Sequence, residues 1–142
     1  MNDAPVDVIL LDVPVALWSR SRSHSDAVRA AAAEGDAPAR LAEITERFRE
    51  RYDAVAETAL SELRAATVRR VQTVDLAYPV PRRARDDVDA FLAALESADE
   101  WARTSGRDDL VTPPDVAAFR RWYFGEIANQ MDGGFPTPWR GA

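Results

Sequence analysis

The chain has no lysine, no cysteine and, among 142 residues, a single histidine, His24. Each absence removes a class of chemistry. Without lysine there is no Schiff-base amine and no lysine for a phosphate-binding loop. The lysine that receiver domains carry beside their phosphoacceptor aspartate is missing too. Without cysteine there is neither a disulfide framework nor a thiolate nucleophile. One histidine cannot supply a two-histidine metal site, and the Glu-x-x-His pairs of di-iron bundles do not occur. Long apolar runs are also missing: the run Val8 to Leu11 is far below the ~20 residues of a membrane span. Met1 to Pro5 lacks a basic segment followed by an apolar signal core, so the expectation is a cytoplasmic protein that does not enter a membrane.

All 18 basic residues are arginine, and alanine is abundant, a bias that fits a GC-rich coding genome. Against 24 acidic residues they leave a net charge of -6, which opposes the phosphate attraction behind nucleic-acid binding, so no nucleic-acid partner is expected. The length suits one domain, residues 1–142, with a self-supporting core.

Val6 to Val13 is rich in aliphatic and β-branched residues and ends at Pro14, which reads as a strand. Its unbroken apolar centre predicts cover on both faces. Val71 to Tyr78 alternates instead, with Val74, Leu76 and Tyr78 inward and Thr73, Asp75 and Ala77 outward, before Pro79 and Pro81 end the pairing. Leu17 to Glu34 reads as a helix closed at Gly35. Asp36 then caps a second helix with Pro38 in its first turn. Its stripe is Leu41, Ile44, Phe48, Tyr52, Val55, Ala59, Leu63 and Ala66, with Glu43, Glu46, Glu50 and Glu57 as a solvated face. Unbroken from Ala37 to Arg69 it would be on the order of 50 Å long, so it either breaks or packs on another subunit.

A third helix carries Ala84, Val88, Phe91, Leu92, Leu95, Ala98 and Ala102 on one face and stops at Gly106. A fourth begins at Thr112, read as its cap, with Pro113 and Pro114 in the first turn. Its stripe is Val116, Phe119, Tyr123, Ile127 and Met131, and Gly133 and Gly134 end it. Residues 133–142 then form an extended aromatic and proline segment. The fold class expected is α+β and helix-dominated, with two short strands and about four principal helices. Both halves show a strand, a Pro-Val pair, arginines and two helices, which suggests a βαα repeat; chance likeness of short amphipathic segments is the alternative.

No residue stands out as catalytic, cofactor-binding or metal-ligating, and no cofactor is expected. Asp12 ends an apolar strand as a phosphoacceptor or haloacid-dehalogenase-like nucleophile would, but Pro14 stands where the latter needs a second aspartate, leaving a turn residue. His24 lies near Ser21 and Ser25 yet reads as structural. Ser19, Ser21, Ser23 and Ser25 interleave with Arg20 and Arg22, compatible with anion contact or phosphorylation, or simply with a polar helix start. Arg82, Arg83 and Arg85 crowd the start of the third helix, against its dipole. Either Asp86, Asp87 and Asp89 neutralise them, or Arg82 and Arg83 form an anion patch with Arg20.

The last 24 residues hold half of the aromatic residues: Phe119, Trp122, Tyr123, Phe124, Phe135 and Trp139. Trp122 and Phe124 leave the core stripe and, with Trp139, are the expected partner-binding residues. The Phe135 to Trp139 segment either folds back over them or reaches a second protein. The run Phe119, Arg120, Arg121, Trp122, then Gly125, Glu126, Ile127, Gln130, Pro136, Pro138 and Trp139, resembles small uncharacterised proteins of high-GC bacteria encoded near partner-switching regulators, the anti-sigma kinases and their STAS-domain antagonists. The resemblance implies an accessory in sigma-factor or stress control and carries no activity. The reading is therefore a non-enzymatic regulatory or protein-interaction module, a homodimer with a regulatory protein partner. The alternative is a small-molecule-binding protein or minor enzyme with a pocket between the C-terminal helix and the sheet.

Overall fold

In the computed structural model the chain is a helix-dominated α+β protein, described over residues 4–34, 39–54 and 57–141. Strand β1 (Val6–Pro14) leads into α1 (Val15–Ala33), α2 (Ala39–Tyr52) and α3 (Glu57–Val68). The second half runs β2 (Thr73–Val80), α4 (Ala84–Thr104), a 3-10 turn at Asp108–Leu110 and α5 (Pro114–Met131). The long second helix is two helices: a turn at Asp53 and Ala54 ends α2, which settles the length conflict within one chain. Gly35, Asp36, Pro38 and Val55, assigned to caps and to the stripe, lie outside the described residues.

β1 and β2 pair antiparallel, with Val6 opposite Val80 and Leu10 opposite Leu76, until the register slips by one residue between Leu10 and Val13. The slip is a β-bulge at which Asp12 adopts a left-handed φ of 57°, a conformation that aspartate tolerates better than most residues. The Asp12 N–H donates to Asp75 Oδ1 at 2.9 Å, so the partner strand's side chain replaces the lost ladder bond.

The helices cover one face of this ribbon. Val8, Leu10, Val13, Leu76 and Val80 are buried, whereas Asp7, Asp75 and Ala77 face out and Ile9 is 40% exposed. The expectation that β1 is covered on both faces is thus corrected. A two-stranded ribbon beside helices has only one side to bury, and the aliphatic run follows the apolar pattern of a central strand without its surroundings. The alternation of β2 is as read, with Val74 half-buried and Leu76 buried; the Tyr78 side chain lies outside the description.

The outer edge of β1 is closed by side chains rather than by a third strand. Gln130 on α5 accepts the Ile9 N–H at 2.8 Å and donates to the Ile9 carbonyl at 2.7 Å, so one carboxamide imitates a neighbouring strand. Because both backbone groups of Ile9 point outward, Ile9 and Ala77 form a pair without mutual hydrogen bonds. Two residues further along β2, Pro79 therefore lacks its N–H on the outer edge, where no ladder bond is lost.

Leu63, Val8, Leu10 and Val13 are completely buried and join Val88, Phe119 and Ile127 in a core spanning both halves of the chain. Gly106 and Gly133 end α4 and α5 with φ of 71° and 93°, as their positions predict. Thr112 does not cap α5, correcting the reading of its N-terminus. The helix begins at Pro114, and the Thr112 N–H and hydroxyl both donate to Asp99 on α4, at 2.9 and 2.8 Å.

Candidate functional site

The inner face of α1 is written at helical spacing by Trp18, Ser21, Arg22 and Ser25, the i, i+3, i+4 and i+7 positions of one face. These four line a cavity of about 130 Å³ that α2, α4, α5 and the end of β2 complete. Its opposite wall is aromatic. Phe48 on α2 stacks on Phe91 of α4 with centroids 4.4 Å apart, and Phe124 of α5 closes on both at 6.1 and 5.5 Å. Tyr52, Phe119 and Tyr123 extend the lining. The walls are thus apolar with a few convergent polar groups, a composition general to small-molecule pockets.

Three arginines reach the cavity and are held differently. Arg22 donates to Asp53 at 3.0 Å. Arg49 pairs with Asp26 and donates to Ser25 Oγ at 2.9 Å. Burial pulls its pKa below the ordinary arginine value, against the pull of Asp26. Arg120 is 5% exposed and has no carboxylate partner among the described residues. Its Nε donates to Ser21 Oγ at 2.9 Å, and its Nη2 donates to the Ser21 carbonyl at 2.8 Å and to His24 Nδ1 at 3.0 Å. Desolvation brings its pKa down to about 10, against the charge of Asp99.

His24 is locked by the same network. Nδ1 faces the Arg120 donor, so the proton sits on Nε2, which donates to the Leu110 carbonyl at 2.8 Å. Burial first, and then the Arg120 charge, lower its pKa against the Leu110 hydrogen bond and Asp99. The imidazole is a neutral brace between α1, the 3-10 turn and α5. At the other end of the cavity, the Tyr52 hydroxyl donates to Asp87, which Arg51 also meets at 3.1 Å. Burial and then that carboxylate push the Tyr52 pKa up to about 12.

Of the expected partner-binding residues, Phe124 stands in the cavity wall, while Trp122 and Trp139 serve the C-terminal segment, which folds back. Trp139 crosses Trp122 edge-on at 5.6 Å and Phe119 at 6.0 Å, and its N–H donates to the Leu11 carbonyl at 3.1 Å beside the bulge. The Trp122 Nε1–H donates to the Thr137 carbonyl at 2.9 Å, and buried Glu126 accepts the Thr137 N–H at 2.7 Å. Trp122, Phe124 and Trp139 are each half-buried against the core. Phe124 alone belongs also to the cavity wall.

Of the arginines read as an anion patch, one has an acid partner among the described residues. Arg20 pairs with Asp115 at the start of α5, while Arg82 and Arg83 are exposed beside the start of α4. Asp87 turns to Arg51 and Tyr52 on α2, and Asp89 takes Arg85 at 3.0 Å, so the local neutralisation expected for the arginine cluster is shared with a second helix. Glu43, Glu46, Glu50 and Glu57 are exposed, as a solvated face should be. No His, Cys, Asp and Glu group suited to a metal ion occurs among the described residues, and no helix is long and apolar enough to cross a membrane.

Arg49 and Arg120 escaped the sequence reading because each follows a phenylalanine on an apolar stripe and reads as a neighbouring surface charge. The inward face of α1 was legible: Trp18 is followed by small polar residues at core spacing, which marks a helix lining a space rather than a packed seam. No protein-family model, curated protein or solved structure matches this chain.

Proposed function

We propose that this protein is a non-enzymatic small-molecule-binding module that works in the cytoplasm, with the cavity between α1, α2, α4 and α5 as its site. The observation that carries this reading is the aromatic cavity itself. Rings from three helices leave a volume close to that of an engineered cavity of ~150 Å³ that takes up benzene. Binding is preferred to catalysis because both nitrogens of His24 are engaged and Ser21 Oγ already accepts from Arg120, so His24 does not serve Ser21 as a base. Extraction of the purified native protein, with mass spectrometry of what denaturation releases, tests the reading, beside melting curves against a library of small aromatic compounds. A ligand at about 100 times its Kd adds about 2.7 kcal/mol to stability. A chain that releases nothing and melts identically throughout the library overturns the proposal.

A second reading is favoured by Phe135, which is 88% exposed at the head of the folded-back segment. A ring kept in water by the flanking anchors suits contact with another protein, in line with the regulatory role in sigma-factor control and with a homodimer. Co-purification from cell extract, compared between the native protein and Phe135→Ser, tests it. A stoichiometric partner lost in the variant supports the contact, and an unchanged protein profile with a monomeric mass in light scattering opposes it.

A further inference from the structure

The binding reading leaves the ligand's chemistry open, and the charges on the cavity wall narrow it. Arg22 and Arg49 each face an aspartate, Asp53 and Asp26, and bring no net charge of their own. Arg120 differs. Its hydrogen-bond partners are neutral: the hydroxyl and carbonyl of Ser21, the imidazole of His24 and, at 3.4 Å, the hydroxyl of Thr112. The acid that acts on it from a distance, Asp99, is occupied by two hydrogen bonds from Thr112. A guanidinium taken out of water with no acid in contact with it is costly, and an anion that reaches it offsets that cost.

We propose that the pocket takes a single-ring aromatic carboxylate, its ring among Phe48, Phe91 and Phe124 and its carboxylate at the Ser21 and Arg120 end. Four observations converge on that class. The cavity of about 130 Å³ admits one ring and little more. The phenylalanine cluster offers tilted and stacked ring faces of the kind an added aromatic ring extends. Ser21 Oγ accepts from Arg120, and its own proton has no acceptor among the described residues, so it stands as a donor to an arriving anion. Arg120 is the one lining arginine whose charge lacks an acid in contact among the described residues, and a carboxylate answers it with a charge-assisted hydrogen bond. A cation of the same shape meets repulsion from Arg120, and a neutral one leaves the guanidinium without an anion in contact.

This inference rests on the binding reading, and the experiment separates the two. Benzoate, benzamide and benzylamine are titrated into the full-length protein at pH 7 by calorimetry and ligand-observed NMR. Benzoate should bind at least about tenfold more tightly than benzamide, the worth of one hydrogen bond to a charged group, and benzylamine should not register. Arg120→Gln, checked for native circular dichroism, should bring benzoate and benzamide to within about twofold while benzamide keeps its affinity. Should Arg120→Gln fail to fold, Ser21→Ala takes its place: a selective loss of benzoate affinity supports the assignment, and an unchanged preference overturns it. Equal binding of benzoate and benzamide to the native protein overturns the carboxylate and leaves the pocket reading standing. Failure of all three compounds, with toluene also rejected, overturns both.

Discussion

At the scale of single residues, His24 and Arg70 show what local environment does to ordinary side chains. The folded-state pKa of His24 lies below its unfolded value of 6.5 because burial and Arg120 disfavour the imidazolium. The unfolded chain therefore takes up a proton that the native state refuses, so stability rises with pH between the folded pKa and about 6.5. That contribution is complete above pH 6.5 and is lost as pH falls through the folded pKa. Urea unfolding midpoints measured from pH 7.5 to 5 should fall on acidification, and His24→Gln should flatten the fall. Arg70 follows α3 with φ of 57°, a left-handed position at a helix end that glycine takes at no steric cost. Its N–H donates to the Thr67 carbonyl at 3.2 Å and the next N–H, of Val71, to Ala66 at 3.0 Å, so the helix is already closed. Arg70→Gly should add about 0.5–1 kcal/mol, the relief of backbone strain less the extra freedom of the unfolded chain. Denaturant titration at constant slope checks it.

At the scale of elements, the sheet is a ribbon that depends on a helix to finish it. The Gln130 carboxamide meets both free backbone groups of Ile9, and the Trp139 N–H meets the Leu11 carbonyl, so α5 and the C-terminal segment stand where a third strand would. Gln130→Leu keeps the volume and removes both partners, and should cost about 1–3 kcal/mol because partly buried backbone groups are left unpaired. Gln130→Glu should cost at least as much, since a carboxylate has no proton for the Ile9 carbonyl and sets two acceptors against each other. Equilibrium unfolding measures both, and faster amide exchange at Ile9 locates the loss. Two strands, the alternation of β2 and most helix ends were legible in the sequence because they are set within a few residues. Pro14, Gly106 and Gly133 act on their own backbone. The Gln130 contact was not legible, since it joins residues 121 positions apart and glutamine on a helix resembles any surface residue. The bulge was equally hidden, because a one-residue slip shows only when both strands are aligned.

At the scale of the whole molecule, the two halves of the chain, β1 to α3 and β2 to α5, share one core and do not stand as separate units. Leu63 from the first half and Phe119 and Ile127 from the second belong to the same buried cluster. Leu63→Ala, at a fully buried site, should cost about 2–5 kcal/mol, the transfer of the lost methyl groups plus the cavity left behind. Tryptophan fluorescence and far-ultraviolet circular dichroism should still report a single coincident transition, because neither half retains a core of its own. Two separated transitions would show that the halves fold independently.

Composition, charge and local pattern determined by themselves that this is a helix-rich α+β chain without lysine, thiol or paired-histidine chemistry. They also set where most helices begin and end and which stripes of α2, α3, α4 and α5 face inward. These properties follow from steric and hydrophobic rules that act over a few residues. Tertiary structure alone decided that the long helix breaks after Tyr52, that the aromatic segment folds back onto the bulge, and that Ser21, Arg49 and Arg120 meet at one cavity. Such meetings depend on how four helices pack around one ribbon, and the packing is fixed by contacts between residues dozens of positions apart. A buried arginine whose contacts are all neutral becomes visible only when every neighbour is in place.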